Sequence, residues 1–127
     1  MKKQAFTLIE VLIAIILVGL AIASLLGANL AFTRANGSGA QLSTAEFLIE
    51  QIREQMVTTP FADLANTSGF VSTSYPGYSQ KTTVEYVIAS DLRTVSASTP
   101  TPFRRITVEI NLNNKTISSA CWIRANY

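Results

Sequence analysis

One carboxylate stands where its neighbours are least able to solvate it. Between Phe6 and Phe32 the only charged side chain is Glu10, and its polar company is little more than Thr7, Ser24 and Asn29. An ionisable group in a membrane segment costs on the order of 2–3 kcal/mol at the bilayer centre, so it marks a functional position by default. The other candidate groups form no reactive set. Asp63, Glu85, Asp91 and Glu109 are dispersed, with neither paired-carboxylate nor calcium-loop spacing. The chain has no histidine, which removes the commonest metal ligand and the commonest general base. Phosphate-binding glycine loops and nucleophile elbows are missing as well. This pattern argues for a chain that is not an enzyme and uses no cofactor, metal or small-molecule substrate.

The element that must position Glu10 is the apolar run itself. At a helical rise it is about 40 Å long, against roughly 30 Å of bilayer hydrocarbon. A plain single-span anchor accounts for the length but gives Glu10 no role. A secretory signal peptide accounts for Lys2 and Lys3, yet the run exceeds the usual h-region, and Leu26-Gly27-Ala28 is a poor cleavage site. A buried helix of a soluble protein would carry a polar face, which this run lacks.

Lys2-Lys3-Gln4-Ala5 followed by Phe6-Thr7-Leu8-Ile9-Glu10-Val11-Leu12-Ile13-Ala14 resembles the leader and first helix of type IV pilins and type II secretion pseudopilins. The resemblance implies a short leader, residues 1–5, cut between Ala5 and Phe6 by a prepilin peptidase on the cytoplasmic side. It implies N-methylation of the new N-terminal Phe6 and a role for Glu10 in assembly. The family usually has Gly before the cut; Ala5 is its mildest replacement. The expected partners are the prepilin peptidase, the inner membrane and other pilin or pseudopilin subunits of the same filament.

Charge arithmetic fits that carry-over. Cleavage creates an amine four residues before Glu10, within i, i+4 reach. A carboxylate near a helix N-terminus is also favoured by the helix dipole. Among parallel helices Glu10 can pair instead with a neighbour's amine, and the cost of an unpaired charge then sets the axial register.

Of ten basic residues, Lys2 and Lys3 belong to the leader, which leaves eight against eight acidic. Basic residues before the span and only Arg34 soon after it keep the N-terminus cytoplasmic. The protein is thus expected to be a single-pass inner-membrane protein with an extracytoplasmic, in a Gram-negative cell periplasmic, head. The span is placed at residues 6–33 and the head at 34–127. Gly19 and Gly27 are where the span deforms most easily, at roughly 1 kcal/mol each relative to alanine. The same small residues, with Ala21-Ile22-Ala23-Ser24, equally suit close helix packing.

Asn36-Gly37-Ser38-Gly39 is either a break, with Ser38 or Ser43 capping a second helix, or a soft spot in a continuous one, as the resemblance implies. Within about 41–59, Leu42, Ala45, Ile49, Ile52 and Met56 recur at spacings of three and four, with Leu48 beside them. Glu46, Glu50, Arg53 and Glu54 take the other side. Pro60 ends the helix near Thr58-Thr59. Phe61 to Lys81 reads as loop, with a turn at Tyr75-Pro76-Gly77-Tyr78.

Alternation then predicts an antiparallel sheet over about 82–124. Its first strand, Thr83–Ala89, puts Val84, Tyr86 and Ile88 on one face. After the polar linker Ser96–Pro102, Arg104–Leu112 groups Ile106, Val108, Ile110 and Leu112. Asn113-Asn114 suits a tight hairpin. The return strand, Thr116–Arg124, puts Ile117, Cys121 and Ile123 opposite Trp122, with Cys121 expected as a buried thiol. The fold class is α+β: a long N-terminal helix, its second half packed on a small antiparallel sheet. A single cysteine excludes the intrachain bridge common in major pilins, so the resemblance is to a minor pilin or pseudopilin. Two alternatives remain: an anchored extracytoplasmic binding domain that never polymerises, and a competence-type pilin that takes up DNA. Arg104-Arg105, expected as a solvated strand start, is too small a basic patch for nucleic acid.

Overall fold

Thr7 and Glu10 start the longest element. A computed structural model describes residues 7–96 and 100–126. Helix α1 runs Leu8–Thr58, 51 residues, and its assignment is uninterrupted at Asn36–Gly39. The glycines there do not end it. The chain divides into two units, Met1–Gly39 and Ala40–Tyr127.

In the first unit the helix has no internal partner. Every large apolar side chain from Leu8 to Phe32 is exposed, and an 18-residue window has a mean hydropathy of 2.8. Length and composition suffice for a membrane span. Two polar side chains of this stretch bond back onto the helix: Ser24 Oγ donates to Leu20 O at 2.8 Å and Thr33 Oγ1 to Asn29 O at 2.9 Å. That leaves them no unmet need for water.

The second unit is a sheet covered by the last turns of α1. Its strands are β1 (Val71–Ser72), β2 (Tyr78–Ile88), β3 (Asp91–Val95), β4 (Phe103–Leu112) and β5 (Lys115–Ala125). All pairings are antiparallel, in the order β1-β2-β4-β5, with β3 also on β2. Strand β2 starts at Tyr78, inside the stretch expected to be loop, because it pairs with β4 as far as Leu112. The hairpin turn is as expected: Asn113 and Asn114 both have positive φ, 51° and 65°. Gly77, at φ +81°, lies against it, and a Cβ there would meet Leu112 and Asn113 at 3.2 and 3.3 Å.

Ala45, Leu48, Ile49 and Ile52 of α1 pack on Leu64 and on Ile106, Val108 and Ile110 of β4. Each fully buried aliphatic side chain contributes roughly 1.5–3 kcal/mol. The stripe is shifted from the expected one: Leu48 is buried, whereas Leu42 is 47 % exposed. The buried set begins only at Ala45, so Leu42 lies one turn too early.

Two bulges correct the faces read from simple alternation. Register slips between Ile110 and Asn111, where Ile110 faces Ser118 but Asn111 faces Thr116. The extra residue, Ile117, turns to the core side with Ala120 and Trp122. Cys121, expected buried, lies on the opposite face and is exposed. A second slip at Val87/Ile88 buries Val87 and leaves Ile88 exposed, against expectation.

Candidate functional site

The residues singled out by sequence fall at the start of α1. Ala5 and Phe6, the expected cleavage and methylation positions, lie outside the described residues, as do Lys2 and Lys3. Glu10 is described, and its surroundings are more specific than the sequence reading anticipated. Thr7 N–H donates to Glu10 Oε2 at 3.0 Å and Thr7 Oγ1 donates to the same oxygen at 2.9 Å. In return Glu10 N–H donates to Thr7 Oγ1 at 3.4 Å. This is a reciprocal capping box, which satisfies backbone donors that an N-terminal turn otherwise leaves open. The sequence signature, Thr followed three residues later by Glu before an apolar run, was there to be read. Thr7 is the residue it would have added.

Among the described residues the carboxylate therefore has local partners within one chain, and none of these is a cation. It has capacity for more, since an ionised carboxylate offers about four acceptor positions. Gly19 and Gly27 meet nothing within 4 Å where a Cβ would stand. Among the described residues nothing crowds either place.

The head holds a second polar constellation that the sequence reading misplaced. Arg104 is only 9 % exposed. Its guanidinium lies between the rings of Phe61 and Tyr86, 4.7 and 4.5 Å from their centroids. It donates to Phe61 O at 2.7 Å, to Leu64 O at 3.0 Å and to the Tyr86 hydroxyl. Arg105, on the opposite face, donates to Glu85 Oε2 at 2.6 Å and to Arg93 O at 2.8 Å. The two are not a solvated pair: one pins the loop after α1, the other ties β3 to the sheet. Arg124 donates to Met56 O and Thr59 O, capping the end of α1 where a cation is favoured.

Among the described residues no group of three or more acidic or cysteine side chains could hold a metal ion. Among the described residues the head presents structural polar contacts, while the helix start presents a capped carboxylate.

The family model of the prokaryotic N-terminal methylation motif matches residues 1–26. No curated protein and no solved structure matches the chain. The match spans Lys2, Lys3, Glu10, Gly19 and most of the apolar run, and leaves the head to be read from its own structure. The chain carries the N-terminal methylation motif characteristic of type IV pilins and pseudopilins, on one long helix packed with a small antiparallel sheet in a pilin-like α+β arrangement.

Proposed function

We propose that the protein is a minor pilin or pseudopilin: a prepilin peptidase substrate, cut between Ala5 and Phe6, methylated at Phe6, and assembled into a type II secretion pseudopilus or type IV pilus-like filament. The observation that carries the reading is Glu10, the only charge between Phe6 and Phe32, within a matched methylation motif. Before assembly the span crosses the inner membrane once, with the head outside. In the filament the amine of a neighbouring Phe6 takes the lone-pair capacity that Thr7 leaves on Glu10, and that contact fixes the axial register. Gly19 and Gly27, which no described residue crowds, let the helix loosen or approach its neighbours there.

Mass spectrometry of the mature N-terminus tests the processing. The expected product starts at Phe6 and carries one methyl group. A chain that keeps Met1 to Ala5, or is cut near Ala28, defeats the reading.

A further inference from the structure

The two edges of the head sheet are treated differently. On β2 most of the outward edge is covered. Thr82 N–H donates to Thr67 Oγ1 at 2.9 Å, Val84 N–H donates to Asn66 Oδ1 at 2.5 Å, and Thr67 N–H donates back to Thr82 O. Strand β1 covers Ser79 and Gln80, β3 covers Val87 and Ile88, and Ser96 N–H donates to Tyr86 O. On the far side β5 is the last strand, with β4 as its only described neighbour.

Which groups β5 leaves open follows from the ladder. Asn126 N–H donates to Pro102 O at 2.7 Å, so it points toward β4. By the alternation of an antiparallel pair, Ser118, Ala120, Trp122 and Arg124 do the same, and Ser119, Cys121, Ile123 and Ala125 direct N–H and C=O outward. The contacts on β2 give the same parity, since Thr82 and Val84 face Val108 and Ile106 yet turn their N–H groups away from β4. Native sheets guard such edges with inward charges, proline, bulges or covering loops. Here the bulge at Ile117 and Lys115 guard the start of β5, and Arg124 stands at its far end. From Ser118 to Ile123 the strand has no charge and no proline.

A cleft lies beside the Arg124 end of β5, lined by Arg53, Val57, Phe61, Trp122, Ile123 and Arg124, with no carboxylate in its lining. Arg53 reaches the exposed Glu50 at 3.6 Å and Arg124 gives Nη1 to the α1 carbonyls, and each guanidinium keeps further N–H donors. Val57 is 62 % exposed there. Two guanidiniums over an apolar floor suit a carboxylate carried next to an apolar side chain.

We propose that β5 takes up an extended segment of a partner polypeptide as a further strand, with an acidic residue of that segment seated in the Arg53–Arg124 cleft. Backbone bonds to Ser119, Cys121, Ile123 and Ala125 supply the attachment, and the cleft selects the acidic partner. The proposal goes beyond the filament reading and does not require it, since neither Glu10 nor the leader takes part.

The test uses the full chain in detergent micelles and a short peptide of alternating valine and threonine ending in phenylalanine-glutamate. Hydrogen exchange at saturating peptide should slow at Ser119, Cys121, Ile123 and Ala125 by about tenfold or more, with Ala120 and Trp122 unchanged. A glutamine-ended peptide should bind about tenfold more weakly. Arg53→Glu should lower affinity for the glutamate peptide and spare the glutamine one. Cys121→Pro removes one outward N–H without touching the β4 ladder and should abolish the protection; Ser119→Pro is the second variant should the first disturb the fold. Unslowed edge amides at saturating peptide overturn the proposal. So does equal binding of the two peptides, or protection that grows with protein concentration alone, which would assign the edge to a second copy.

Discussion

From Leu8 to Phe32 every large apolar side chain is exposed, whereas from Ala45 to Ile52 one face of the same helix is buried to within a few per cent. The two stretches share a backbone conformation, so helix propensity does not separate them. What separates them is the partner. The second has β4 against it; the first has no partner among the described residues, and its length and composition suffice to cross a membrane. A single element thus carries two kinds of apolar surface, one covered by β4 and one bare among the described residues. Substitutions in the two stretches should behave as if made in different proteins.

The largest expected effect is Ile52→Asp. Ile52 is 4 % exposed amid Ala45, Leu48, Ile106 and Val108, and an unpaired carboxylate there costs several kcal/mol, by about the magnitude known for buried charges. The near-ultraviolet signal of Trp122, which packs on this core, should lose its cooperative melt in the full chain in detergent. Leu17→Ala, in the exposed stretch, should leave that melt unchanged within about 0.5 kcal/mol. Equal melts for wild type and Ile52→Asp would mean that α1 does not close this core.

Next is Arg104→Met, set against Arg105→Met. The first leaves the carbonyls of Phe61 and Leu64 without their donor in a buried place, at about 2–3 kcal/mol. The second breaks a part-exposed cross-strand pair, worth about 1 kcal/mol or less. Urea titrations of the two variants should rank them in that order. The reverse order would make Arg105, not Arg104, the residue that holds the head together.

What could be read from sequence divides along the same line. The apolar run, the lone Glu10 and the Asn113-Asn114 turn depend on local rules, and each was legible. The faces of Ile117, Cys121 and Ile88 were not, because a bulge adds a residue through pairing with another strand and then inverts the alternation beyond it. Arg104 was misread for a related reason. Phe61 and Tyr86, distant in sequence, meet around it only once β2 and β4 are in register. Strand β3 went unseen because Asp91–Val95 is short and exposed throughout. At the helix start the sequence singles out Glu10 and not its capping partner Thr7, although the capping signature is local.

A smaller effect separates two roles of Glu10. Glu10→Leu leaves the Thr7 N–H without its acceptor and should fray the first turn by about 0.5–1 kcal/mol, seen as faster exchange of the Glu10 and Val11 amides. Glu10→Gln keeps an acceptor at the same place and should not fray it. Both remove the charge. If charge pairing with a neighbour's amine specifies register, both variants should reach the membrane and both should lose crosslinking to other filament subunits. Crosslinking retained in Glu10→Gln alone would make the residue a helix cap and nothing more. Crosslinking retained in both would favour the plain anchor.

The smallest effect concerns pH and the turn from β2 into β3. Asp91 Oδ2 accepts from Thr94 Oγ1 at 2.5 Å and its Oδ1 accepts from Arg93 N–H at 3.1 Å, and these bonds hold its carboxyl below the ordinary aspartate range. A group whose pKa is lowered by folding contributes stability above its unfolded value, near about 3.9, and loses it as pH falls through the folded value. Protection of the Arg93 amide, corrected for intrinsic exchange rates, should therefore be flat from neutral pH down to about 5 and decline below about 4. Asp91 is exposed, so the decline should stay local: the β4–β5 amides, beyond the Arg105–Glu85 pair, should not follow it at the same pH. Asp91→Asn keeps an acceptor for Arg93 but has no proton to gain, and its profile should be level across that range. An acid decline of the same depth in Asp91→Asn would show that the Asp91 carboxyl is not the group that sets it.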